Sequence, residues 1–287
     1  MKTFKKLSAV LFSALLICSL FSGCSGSGES SYTATITDET MIIAYVEECE
    51  PFLYTDEETG ELTGFDVELI ESTFDVICGD YTDYTFVQVE EGYILDDDIC
   101  YTDEDGTEYS ALIMCGGLRK DVGTNNEDYI WSENIIESQV VTVVASDSDI
   151  SDYNDLSGAK VATVSDIAYE GLDANTVIME ALESVTAYDT AEDAFAALDD
   201  GTVDAVVIET IDLYAFDGAD SYTVLDGTLD IVEYGFGFAS SDDYSDSFNE
   251  ALYEMQSVDY EDGDTLTPIV ETYFGTADVC VFSYVSE

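Results

Sequence analysis

The sequence predicts an α/β protein built on open sheets, and three observations carry that expectation. Short apolar runs, Met41–Val46 and Val203–Ile208, read as buried strands. Helical stretches lie beside them: Phe65–Ile70, with Phe65, Leu69 and Ile70 on one face, follows the first, and Thr190–Leu198, with Thr190 as a plausible cap, precedes the second. The chain has 287 residues, enough for two lobes of ordinary domain size, each with its own core. An apolar fraction of 46% with 12% aromatics argues against disorder despite the charge.

The most informative stretch is Glu50–Leu69. Pro51 stops ladder pairing after the first strand and presents Phe52 and Tyr54 at that strand's C-terminal end, where ligands sit in open α/β sheets. Acidic and glycine residues from Asp56 to Glu61 turn the chain, and Gly64 opens the helix. Pro51-Phe52, the turn with Gly60, and Leu62-Thr63-Gly64-Phe65-Asp66-Val67-Glu68-Leu69 resemble the opening signature of the solute-binding proteins of amino-acid ABC transporters, the two-lobed family 3 group. That resemblance implies a type II periplasmic-binding-protein-like fold, in which two open sheets are joined by two crossing strands.

The beginning of the chain reads as an export signal. Lys2, Lys5 and Lys6 precede the apolar run Leu7–Phe21, which is short for a stable membrane span. Leu20-Phe21-Ser22-Gly23-Cys24 resembles the lipobox of bacterial lipoproteins, which implies cleavage after Gly23 and lipidation of Cys24. Ser25–Ser31 reads as a flexible tether.

Removing that signal leaves Arg119, Lys120 and Lys160 as the cations against 64 acids, so nucleic acid and anionic membrane surfaces are excluded as partners for want of anything to neutralise phosphate. Acids spread along the whole chain point to a solvated surface, and only those lining a cleft would select a cationic ligand. With no histidine, His-based metal sites and His general bases are ruled out. Cys49, Cys78, Cys100, Cys115 and Cys280 remain in the exported part, an odd number whose spacings match no zinc pattern and whose pairing the sequence does not reveal.

Further along, Tyr84–Val89 is a second strand by its alternation, and Glu90–Glu108 reads as a solvated hairpin. Asp103-Glu104-Asp105-Gly106 fails as an EF-hand, because the first loop position falls on Tyr101 and the twelfth on Leu112. Ala111–Gly117 is a buried strand ending in glycines. Trp131-Ser132, the strand Ser138–Ala145, and the turn and strand Asp152–Val164 resemble the family's passage into its second lobe. Leu229–Ala239 resembles the returning strand, Ser245–Val258 a helix of the first lobe, and Pro268–Gly275 the closing helix. The implied organisation is a signal peptide over 1–23, a tether over 24–37, lobe 1 over 38–139 and 235–287, and lobe 2 over 140–234.

The resemblance also implies a binding site. Phe52 and Tyr54 would stack on the ligand or make cation–π contact with it. Backbone groups of Gly116, Gly117 and Leu118 would hold its polar atoms. The family's carboxylate-binding arginine falls at Asn125 or Asn126, where an amide cannot supply the charge, and Arg119 stands as its possible replacement. Asp166-Ile167 occupies the family's Gly-Thr at a helix start, where an aspartate caps well but repels an anion. Glu209 takes the place of the aspartate that pairs with the ligand's ammonium; its alternative role is a charge at a helix N-terminus.

These readings imply an extracytoplasmic lipoprotein, anchored to the membrane through lipid alone, that captures a polar amino acid as a monomer and delivers it to an ABC permease without catalysis, cofactor or metal. Alternatives are a cationic amine-binding protein or ligand-sensing surface lipoprotein, and a dehydratase-like enzyme on the same fold, which would need a positioned acid or base and a grip on carboxylates. A cleft filled by side chains such as Ile167 and the Glu90–Glu108 insertion would mark the sensor or structural reading.

Overall fold

A computed structural model describes residues 36–95, 97–120, 129–239, 244–257 and 263–282. The signal peptide, Cys24, most of the tether, and Asn125 and Asn126 lie outside the described residues. The first half carries β1 (Thr40–Tyr45), β2 (Tyr54–Thr55), β3 (Leu62–Thr63), α1 (Phe65–Ile77), β4 (Asp83–Gln88), β5 (Tyr101–Thr102), β6 (Glu108–Tyr109), β7 (Ile113–Arg119), β8 (Ile130–Trp131) and β9 (Ile136–Ala145). Then follow β10 (Lys160–Thr163), α2 (Asp166–Ala174), α3 (Thr176–Met179), β11 (Ser184–Ala187), α4 (Ala191–Asp199), β12 (Ala205–Glu209), α5 (Thr210–Ala215), β13 (Tyr222–Val224), β14 (Asp230–Phe238), α6 (Tyr244–Gln256) and α7 (Leu266–Phe274).

The main sheet runs β11-β10-β12-β9-β14-β7-β1-β4. Its ends are parallel: β1 pairs with β4 and β7 on one side, and β10 with β11 and β12 on the other. Between them β9 and β14 run antiparallel, Asp230 opposite Val140 through Tyr234 opposite Ile136. These are the two crossing strands expected from the sequence, and their mutual pairing makes the two sheets one continuous, mixed sheet. Strands buried on both faces explain why β1 reads as an unbroken apolar run, since helices cover an all-parallel sheet on both sides.

Burial follows the same plan. Phe65, Leu69, Ile70 and Ile77 turn one face of α1 into the first core. On the other side of the crossing strands, Phe195 and Leu198 of α4 pack on Val206 and Ile208 of β12 and Val141 and Val143 of β9. Ala168 and Leu172 of α2 join the cluster that also holds Met41, Ile43 and Phe65, so the apolar interiors meet along the crossing strands. No helix among the described residues is long and apolar enough to cross a membrane.

Two local expectations change. The cap of α2 is Ser165, whose Oγ accepts from the Ala168 N–H at 3.1 Å; Asp166 is the first helical residue and only adds favourable charge there. Among the described residues of the Glu90–Glu108 stretch, only β5 and β6 pair as a hairpin, around a turn in which Asp103 Oδ1 accepts from the N–H groups of Asp105 at 2.9 Å and Thr107 at 2.7 Å. Thr190 caps α4 as its sequence suggests, accepting from the Asp193 N–H at 3.2 Å. Cys49, Cys78, Cys100, Cys115 and Cys280 are all free thiols.

Candidate functional site

The loop after β1 is locked to the start of α1. Phe65 N–H donates to Pro51 O at 2.9 Å and Asp66 N–H to Phe52 O at 2.8 Å, which seats Phe52 directly over the helix N-terminus. Gly64 permits this approach: its φ is +127°, and a Cβ there would lie 2.4 Å from Phe52 O. Phe52 is buried, with its ring centroid 5.3 Å from Phe274, 6.4 Å from Phe65 and 4.6 Å from Tyr234. Its edge lies over Gly117, where a Cβ would come within 2.8 Å of the ring.

Asp66 ties this loop to the end of β7. Its Oδ2 accepts from the N–H of Gly116 at 2.8 Å and of Gly117 at 3.0 Å, so the glycine N–H groups expected to face a ligand already have an intramolecular acceptor. Burial pushes the Asp66 carboxyl up to about 7 against the opposing effect of those two bonds. Arg119, the last residue of β7, points its Nη1 at Glu170 Oε2 on α2, 3.3 Å away. Lys120 turns to the crossing region, donating to Ser132 O at 2.6 Å.

Beyond Tyr234 lies the end of β12. Glu209, 2% exposed, sits at the C-terminal end of β12 and at the N-terminus of α5, but makes no capping bond with its side chain. Its Oε1 accepts from Tyr234 Oη at 2.9 Å. Burial, and then the charge of Asp212, push Glu209 up to about 7, against the bonds from Tyr234 and Ser138 and the positive field of Arg119. Burial alone pushes Asp212 up to about 6. Cys49 shares the neighbourhood: burial, then the charges of Asp66, Asp212, Glu209 and Glu47, push its thiol up to about 12.

The fold thus brings Phe52, Gly117, Leu118, Tyr234 and Asp66 to one crevice. Glu209 adjoins it through Tyr234, and Arg119 acts on both Glu209 and Tyr234 through its charge. Tyr54 pairs with Thr63 in the small β2–β3 ribbon, among Glu50 and Asp56, and Asp166 is exposed at the start of α2; neither lines the crevice. The crevice encloses 0 Å³ that a water molecule can enter. Tyr234 is one of its walls, and neither Ile167 nor the Glu90–Glu108 insertion lines it. Two roomier concavities lie elsewhere, about 690 Å³ along α1 and the β2–β3 ribbon and about 420 Å³ beside Gln88–Tyr93 and Asp98–Cys100, and neither includes an expected ligand-binding residue.

Sequence reasoning did not single out Tyr234, Asp66 or Asp212 as parts of one site. Asp66 left a signal, being a polar residue on the apolar face that Leu69, Ile70 and Thr73 continue at helical spacing. Tyr234 left a weaker one, a large polar aromatic that opens the apolar, glycine-bearing second half of β14, Gly235-Phe236-Gly237-Phe238.

Two sheets continuous through a pair of crossing strands, with a crevice where they meet, define the fold of the two-lobed substrate-binding proteins. Solved structures of that class superpose on most of the chain. A polar amino acid ABC uptake transporter substrate-binding protein from Streptococcus thermophilus is 18% identical, aligned over 85% of this chain and 89% of that one, with a TM-score of 0.60. An ABC uptake transporter substrate-binding protein from Streptococcus pneumoniae, with bound histidine, is 19% identical over 85% of this chain and 96% of that one, with a TM-score of 0.56. An ancestral cationic amino acid solute-binding protein is 17% identical over 82% and 96%, with a TM-score of 0.58. No protein-family model and no curated protein matches the sequence.

Proposed function

We propose that this chain is an extracytoplasmic solute-binding lipoprotein that captures an amino acid and passes it to an ABC permease. The observation that carries the reading is the placement of Glu209 at the mouth of β12, within the field of Arg119 and across from Phe52. A carboxylate suits the ligand's ammonium, a guanidinium suits its carboxylate, and an aromatic face suits its side chain. Two lobes hinged on β9 and β14, with lobe 1 over 38–139 and 235–287 and lobe 2 over 140–234, would open and close around such a solute. Lipid on Cys24 and the tether over 24–37 would hold the monomer at the outer face of the membrane. Capture and release need no chemical step.

A second reading, a cationic solute such as a basic amino acid or an amine, is favoured by Asp66, Glu209 and Asp212, which all act on Cys49 and are each raised by burial. The test is a thermal-shift screen of the protein without residues 1–23 against amino acids and amines at fixed salt. Binding to the folded state alone raises stability by about 2.7 kcal/mol at a hundredfold excess of ligand over its Kd. A rise with one amino acid or amine, abolished in Glu209→Gln, supports capture; a folded protein indifferent to all of them refutes it.

A further inference from the structure

We propose that Tyr234 is a built-in occupant of the cleft, a gate that an incoming solute must displace, and therefore the residue that sets what the cleft accepts. The inference rests on the solute-capture reading of the same site. Tyr234 makes both contacts that the sequence assigns to a solute. Its ring lies against Phe52, centroids 4.6 Å apart and planes tilted by 31°, and its Oη donates to Glu209 at 2.9 Å. With Tyr234 4% and Glu209 2% exposed, one buried side chain satisfies the aromatic face and the carboxylate together, and the crevice it lines beside Phe52 has no room for water.

The position of Tyr234 suits a gate. It lies on β14 where that strand pairs with Ile136 of β9 and Arg119 of β7, at the seam of the two sheets. Phe52 belongs to the loop after β1 and Glu209 to β12, so the ring touches both sides of the seam, and any parting of the two sides breaks one of its contacts. Directly after it the ladder with β7 is irregular, its register shifting between Gly235 and Gly237. A side chain at Gly235 would meet Ser132 Oγ at 2.7 Å, so the strand here carries nothing beyond backbone. Bulged, glycine-bearing strand is where backbone can re-aim a side chain.

Chemistry decides which solutes win the exchange. A phenol offers Glu209 a neutral donor, whereas an ammonium offers a full charge to the same carboxylate. A solute that carries an amine and a flat or apolar body to lie on Phe52 replaces both contacts and gains the charge; a neutral solute of the same size gains nothing.

The test compares wild type with Tyr234→Phe, Tyr234→Ala and the double variant Glu209→Gln/Tyr234→Ala, by thermal shift and calorimetry, using p-cresol as a stand-in for the missing side chain and L-arginine, L-histidine and tyramine as amines. The expected result is that p-cresol stabilises Tyr234→Ala but not wild type, and binds the double variant about tenfold more weakly for loss of a hydrogen bond to a charged group. Tyr234→Phe, which keeps the ring but frees Glu209, is expected to bind at least one amine about tenfold more tightly than wild type does. If Tyr234→Ala weakens amine binding that wild type shows, Tyr234 is a wall of the site; the gate is overturned and solute capture stands. If p-cresol enters Tyr234→Ala as expected but no amine binds any form, the gate stands and amino-acid capture falls. Should Tyr234→Ala fail to fold, Tyr234→Phe decides alone, and an amine affinity equal to wild type overturns the gate.

Discussion

Asp66 on the first turn of α1 accepts the N–H of Gly117 at 3.0 Å across 51 residues of sequence, and the N–H of Gly116 with the same oxygen. The bond fastens the helix that follows the Pro51 loop to the glycine end of β7, and so holds the floor of the crevice under Phe52. Asp66→Ala takes the acceptor from both N–H groups, on half-buried glycines, at a cost of about 1–3 kcal/mol. A urea titration of the variant is expected to show a lower midpoint with an unchanged slope; an unchanged midpoint means that the two N–H groups find water instead.

Stability is expected to fall as pH rises from about 5 to about 8. Asp66 and Glu209 are pushed up to about 7, and Asp212 to about 6, mainly by burial. Each binds its proton more tightly when folded, so its contribution is complete below the unfolded value near 4 and is lost as pH climbs through 6 and 7. At about 1.4 kcal/mol per unit, shifts of this size are worth roughly 3–4 kcal/mol for one group. Asp56, Asp103, Asp155 and Asp200 are held low by local hydrogen bonds and work the other way, but only below their ordinary values near 4. Melting temperatures of wild type and Asp66→Asn across this range check the sign: the variant's profile should be flatter.

Gly64→Ala is expected to be among the most damaging single changes to the site. The new Cβ would fall 2.4 Å from Phe52 O and 2.9 Å from Leu53 Cα, both backbone, at a φ of +127° that alanine does not adopt. A loss of about 3 kcal/mol or more follows from strain plus clash. Circular dichroism melting would show it, and a variant within about 0.5 kcal/mol of wild type would mean the loop can rearrange freely.

The Arg119–Glu170 pair, by contrast, should matter little to folding. Glu170 is 58% exposed, so water and salt screen the 3.3 Å contact. Glu170→Gln should move stability by less than about 1 kcal/mol. Arg119→Ala should weaken binding of any solute that carries a carboxylate; equal affinities in the two proteins, by calorimetry, would remove Arg119 from the site.

Cys49 should resist alkylation in the folded protein. Its thiol, pushed up to about 12, holds almost no thiolate at neutral pH. Iodoacetamide labelling followed by peptide mass analysis should find Cys49 modified only after unfolding, and rapid native labelling would show that the crevice opens readily.

Much of the architecture was legible because it is written locally. Buried strands announce themselves as apolar runs, Thr190 shows its cap, and Gly64 shows its turn, each within a few residues. The segments Ser138–Ala145 and Leu229–Ala239 were legible as crossing strands only through resemblance, since nothing local says that they pair with each other. Of the residues the sequence pointed to, Phe52, Gly117 and Leu118 line one crevice and Glu209 adjoins it through Tyr234, while Tyr54 lies in the β2–β3 ribbon and Asp166 is exposed at the start of α2.

By itself the sequence determined an acidic α/β chain in which β1, α1, β4, β7, α4, β12 and α6 follow in the observed order, because apolar periodicity, caps and turns are short-range. Tertiary structure alone decided that the Gly116 and Gly117 N–H groups go to Asp66 and that Tyr234 lies between Phe52 and Glu209. Those contacts join residues far apart in the chain. Their strength comes from burial, which no single residue carries and only the packed fold creates.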